Sequence, residues 1–85
     1  MLKIETEMMD WRAFCERFTF LRDELAPAFR SIDEDTISHR TENWSILPDW
    51  DAGEMTFEYY GDGGEDEIQC RVTGVPWGSA DMLRP

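Results

Sequence analysis

Apolar side chains recur at helical spacing from residue 11 onward. Trp11, Phe14, Cys15, Phe18, Leu21, Arg22 and Leu25 share a 3.6-residue period, and six of these seven are apolar. Asp10 stands where an N-cap belongs, and its carboxylate also suits a helix N-terminus. Pro27 cannot continue the hydrogen-bond ladder without a kink, so the pattern predicts one amphipathic helix ending near Leu25 or Ala26. Ala28-Phe29-Arg30 then reads as a short turn, and Phe20 falls off the apolar face. Residues 31–40 read as a loop that Ile32 and Ile37 pin to the core.

The period then changes to two. Trp44 and Ile46 alternate with Asn43 and Ser45, and Pro48 to Gly53 is rich in turn residues. Met55, Phe57 and Tyr59 alternate with Glu54, Thr56, Glu58 and Tyr60. Gly61-Asp62-Gly63-Gly64 tolerates positive φ and reads as a hairpin turn. Ile68, Cys70 and Val72 alternate with Gln69, Arg71 and Thr73 before Gly74 and Pro76 end the run. Three antiparallel strands with one apolar face follow, and the weak alternation of residues 2–6 offers a fourth. That face needs a cover, which the 11–25 stripe supplies. The predicted fold is α+β: one helix packed on a three- to four-stranded antiparallel meander, a two-layer sandwich.

The chain has 85 residues, enough for one domain over 1–85. Its hydrophobic share of 41%, with 13% aromatic, is too high for a disordered chain. No apolar run approaches the ~18 residues of a membrane span. Met1-Leu2-Lys3-Ile4-Glu5 lacks the basic start and apolar stretch of a signal peptide. These features predict a cytoplasmic protein with no membrane partner.

Charge changes the picture most. The net charge is −11. Residues 1–32 carry six acids against five bases, residues 33–67 twelve acids against one, and residues 68–85 one acid against two. The middle segment therefore carries the whole excess. A solubilising surface is one reading of this charge; a salt-adapted surface should be acidic throughout, so the clustering favours a directed field over a general one. Direct binding of nucleic acid is disfavoured, because phosphate contacts need Lys and Arg.

Catalytic chemistry finds little purchase. Cys15 and Cys70 lie on apolar faces and read as buried free thiols, with a core disulfide as the alternative. The two Cys and one His lack paired ligand spacing for zinc. His39, the single histidine, has no nucleophile motif around it. Asp49-Trp50-Asp51-Ala52-Gly53 opens like a calcium loop, but Gly53 and Tyr60 fall where ligands belong. A glycosidase carboxylate pair would need a pocket that a two-layer fold this small hardly holds. The sequence thus predicts no catalytic residue, no metal and no cofactor.

The solvent face of the strands is more informative. Glu54, Thr56, Glu58 and Tyr60 point outward on one strand, and Gln69, Arg71 and Thr73 on its neighbour. Carboxylates at i and i+2 on a strand stand roughly 6.5–7 Å apart, a spacing like that of DNA phosphates. Asp49, Asp51, Glu54, Glu58, Asp62, Glu65, Asp66 and Glu67 are the candidate partner-binding acids, with Trp50 or Tyr60 as anchor. For Trp50 and Trp77 the alternative is that they cap the ends of a small core.

The expected function is a small acidic inhibitor that binds the basic groove of a nucleic-acid-binding protein. In size, acidity and helix-plus-meander layout the chain is similar to phage-encoded anti-restriction and anti-CRISPR inhibitors, a likeness that no motif carries. The alternative is a non-catalytic accessory subunit, or a homodimer, that pairs through an exposed strand edge.

Overall fold

The computed structural model describes residues 5–61 and 67–79. Strand β1 (Glu5–Asp10) leads into helix α1 (Trp11–Arg17), a 3-10 turn (Thr19–Leu21) and helix α2 (Arg22–Ser31). Strands β2 (His39–Arg40), β3 (Trp44–Asp49), β4 (Glu54–Tyr59) and β5 (Ile68–Thr73) follow. The α+β class holds. The sheet, however, is five-stranded and mixed, in the order β1-β5-β4-β3-β2. β2 to β5 run antiparallel, and β1 lies parallel to β5 at the edge. The purely antiparallel meander is thus corrected. The helices carry the chain away from β1, so β1 is free to pair with the last strand.

The N-terminal strand is described over residues 5–10, and Leu2, Lys3 and Ile4 of the 2–6 alternation lie outside the described residues. Glu7 stands opposite Cys70 and Met9 opposite Val72, which places both on the helix-covered face. Met9 packs against the core there, while Glu7 forms an ion pair with Arg17 of α1.

The predicted single helix is two. Asp10 does cap α1, its Oδ1 accepting from the Ala13 N–H at 2.8 Å. The break comes at Thr19, not at Pro27. The Thr19 hydroxyl donates to the Cys15 carbonyl at 2.8 Å and lies 3.0 Å from that of Glu16, so a side chain closes the end of α1. Pro27 sits inside α2 with its ring at the surface. Its missing N–H would have served Asp23, in the first turn of α2, so the helix loses one hydrogen bond and continues to Ser31. The 3-10 turn keeps the stripe in line: Phe14, Phe18, Leu21 and Leu25 are all buried, and α2 adds Ala28 and Phe29. Arg22, the polar member of the stripe, is exposed.

The core joins these helices to Trp44, Ile46, Met55, Phe57, Cys70 and Val72. Phe57 is its centre, with Phe14 and Phe18 both edge-on to it at 4.9 Å between ring centroids. Two further expectations need correction. Pro48 and Asp49 belong to β3, because Pro48 pairs with Met55 and Asp49 with Glu54. Ile37 is 86% exposed and pins nothing, whereas Ile32 is buried as expected. Among the described residues no helix is long and apolar enough to cross a membrane.

Candidate functional site

One face of the sheet carries the helices; the other is open. The strand registers place its residues in cross-strand rows. Thr6, Gln69, Glu58, Ser45 and Arg40 form one row, and Met8, Arg71, Thr56 and Leu47 the next. Asp49 and Glu54 face each other beyond them.

Two hydrogen-bond networks fix this face. In the first, Arg71 bridges three neighbours. Its Nη2 donates to Glu54 Oε1 at 2.6 Å and to Asp49 Oδ2 at 3.2 Å. Its Nε also reaches Glu54 Oε1, at 3.1 Å, and its Nη1 donates to Thr56 Oγ1 at 3.0 Å. In the second, Glu58 Oε1 accepts from the Ser45 hydroxyl at 3.0 Å and from the Tyr60 hydroxyl at 3.4 Å. Glu58 Oε2 accepts from Gln69 Nε2 at 3.4 Å, and the Thr6 hydroxyl donates to Gln69 Oε1 at 2.9 Å. The Ser45 and Tyr60 hydroxyls lie 2.7 Å apart. Ser45 points outward as the alternation requires, yet Glu58 and Tyr60 cover it so fully that it has no solvent exposure.

The structure thus brings together Asp49, Glu54, Glu58 and Tyr60 of the expected binding set. Asp51 is exposed in the turn after β3, with no hydrogen bond or ion pair to another described residue. Glu67 is half-buried just before β5. Asp62, Glu65 and Asp66 lie outside the described residues. Trp50 is not a free anchor. It stacks on Trp77 at 5.8 Å and 18°, Trp77 Nε1 donates to the Glu54 carbonyl at 3.1 Å, and Trp77 lies 5.9 Å from Phe29. The pair closes one end of the core, the second of the two roles the sequence allows.

Arg71, Ser45 and Gln69 are the contributors that pattern alone did not single out. The signal for Arg71 is in the chain: it is a lone base on an outward strand face opposite acids. Its partners become visible only once the β4–β5 register sets Arg71 beside Thr56.

Cys15 and Cys70 are free thiols. Burial pushes both pKa values above the usual thiol range, with Arg22 opposing the shift at Cys15 and Arg17 at Cys70. Among the described residues no group of three or more His, Cys, Asp or Glu side chains is placed to hold a metal ion. A comparison with protein-family models, curated proteins and solved structures found no match for this chain.

Proposed function

We propose that the protein is a small acidic inhibitor that presents the open sheet face, together with the acidic residues between β4 and β5 in sequence, to the basic groove of a nucleic-acid-binding protein. A DNA- or RNA-cutting enzyme of a phage-defence system, of CRISPR or restriction type, fits this description, and such a role belongs in the cytoplasm. The observation that carries the reading is the fixing of Asp49, Glu54 and Glu58 by Arg71, Ser45 and Gln69. Carboxylates held in place lose little rotamer entropy when a cationic groove closes on them. The net charge of −11 would steer the encounter and oppose direct contact with nucleic acid.

The test is affinity capture from host lysate with a salt-gradient elution. The control bait carries Asp62→Asn, Glu65→Gln, Asp66→Asn and Glu67→Gln. A nucleic-acid enzyme that elutes at moderate salt and is lost from the control supports the inhibitor. A partner that stays on both baits through high salt sinks it.

That second outcome favours an accessory subunit or homodimer. One observation supports this alternative: Met8 is 70% exposed on β1, whose outer edge pairs with no described strand.

A further inference from the structure

A groove on the helix-covered side runs between α2 and the β2–β3 hairpin. Glu24, Pro27 and Ala28 line one wall, and His39, Thr41 and Trp44 the other, around about 350 Å³. That volume sits at the small end of ligand pockets and takes a side chain with its flanking peptide unit. Trp44 is only 2% exposed, and its ring stacks with His39 at 5.7 Å and with Phe57 at 6.2 Å. Its Nε1 is the one buried side-chain nitrogen or oxygen among the described residues without a hydrogen-bond partner. An orphaned donor of this kind costs folding stability and calls for an explanation. The Thr41 hydroxyl does not relieve it, being bound to the Trp44 carbonyl at 2.8 Å and the Trp44 backbone N–H at 3.1 Å.

We propose that this groove takes a basic peptide segment of a partner protein. A main-chain carbonyl of the segment accepts from Trp44 Nε1, and an adjacent Lys or Arg side chain pairs with Glu24. The two groups select together. The indole N–H demands an acceptor, while the Glu24 carboxylate opposes an anionic one such as a phosphate or carboxylate. A neutral carbonyl beside a cation meets both demands. Pro27 and Ala28 supply apolar contact, and the excess negative charge of the chain draws in a basic segment. Nε1 is sealed from solvent in the free protein, so binding displaces a wall residue. In this proposal that residue is half-buried His39, whose ring stacks with Trp44. The groove lies on the opposite side of the sheet from the acidic face, and the proposal stands whether or not that face binds a groove of its own.

The experiment titrates the 15N-labelled full chain with an acetylated, amidated peptide of alternating Ala and Arg. It follows the indole N–H resonance of Trp44, assigned by its loss in Trp44→Phe. We expect a saturable downfield shift, weakened about two- to fivefold in Glu24→Gln, the scale of one exposed ion pair. The hairpin variant with Asp62→Asn, Glu65→Gln, Asp66→Asn and Glu67→Gln should leave that titration unchanged, which separates the groove from general charge attraction. An unmoved Trp44 resonance, an equal shift with an alternating Ala and Glu peptide, or a Glu24→Gln titration like that of the unaltered chain overturns the proposal. So does a strong exchange peak between the indole N–H and water in the free protein, which would mean that solvent already fills the place.

Discussion

Arg71 binds Glu54 through two donors across the β4–β5 pair, Nη2 at 2.6 Å and Nε at 3.1 Å, and the same Nη2 also reaches Asp49. One guanidinium therefore offsets two carboxylates that would otherwise repel each other across β3 and β4. The open face is consequently a braced surface, not a bare row of negative charge.

Arg71→Met removes that brace and leaves Asp49 and Glu54 opposed. The side chains are about a third exposed or more, so solvent screening keeps the effect modest. We expect a loss of about 1–2 kcal/mol in urea unfolding at low salt. Part of it should return between about 0.01 M and 1 M salt, as the Debye length falls from roughly 30 Å to 3 Å. A loss that ignores salt would mean that Arg71 acts by packing its stem alone.

Glu7 is a charged residue on the covered face of an edge strand, held there by Arg17. Inward charge on an edge strand discourages pairing with another sheet. Glu7→Val extends the apolar face to that edge beside Met9 and leaves Arg17 without its partner. The expected result is a concentration-dependent species, by light scattering, larger than the unaltered chain forms at the same concentration. A monomeric Glu7→Val protein would show that this charge does not guard the edge.

The two thiols give a pH signature. Burial raises both pKa values, so the folded chain holds these protons more tightly than the unfolded chain. Their contribution is therefore fully present below the unfolded thiol value of 9.0 and is lost as pH rises through the higher folded values. Melting temperature should fall as pH climbs above about 9, and Cys70→Ala should flatten that decline. In the folded state a thiol reagent should modify half-buried Cys15 before Cys70, which is fully buried. Equal rates would mean that the sheet opens as fast as the reagent reacts.

Much of the fold is legible in the sequence because burial here follows period. Trp44, Ile46, Met55, Phe57, Cys70 and Val72 all fall on the alternating face and all are buried. Phe14, Phe18, Leu21 and Leu25 hold the helical stripe through a break in the helix. The break itself is not encoded in the apolar period, because it depends on a hydroxyl, that of Thr19, reaching back to carbonyls of the preceding turn. Pro27 reads as a helix end because it breaks the ladder, but α2 absorbs it: the ring stands at the surface, one bond to the Asp23 carbonyl is lost, and buried Leu25, Ala28 and Phe29 hold the helix on both sides of it. Parallel pairing of β1 with β5 joins residues 63 positions apart, as in the bond between Thr6 and Gln69, and no local pattern encodes such a contact. The acids of the open face were found by alternation, but their partners were not, because Arg71 and Ser45 acquire roles only through cross-strand register.

The proposed contact with a basic groove separates two acids that composition treats alike. Asp51 is exposed and unengaged, so its carboxylate is free to meet a cation. Glu58 has both oxygens engaged by Ser45, Tyr60 and Gln69, so it is one of the fixed carboxylates on which the groove would close, and it also holds the face together. Asp51→Asn should leave stability within about 0.5 kcal/mol while slowing association with the captured partner and shallowing its salt dependence. Glu58→Gln presents an amide nitrogen where the network needs an acceptor, and should cost about 0.5–1.5 kcal/mol of stability. Its association should slow as well, because one of the fixed carboxylates is lost. Urea unfolding paired with surface-binding kinetics at two salt concentrations reads both quantities. If Asp51→Asn slows binding and Glu58→Gln binds at the unaltered rate, the partner reads the free carboxylates, and the fixed ones do not carry the contact.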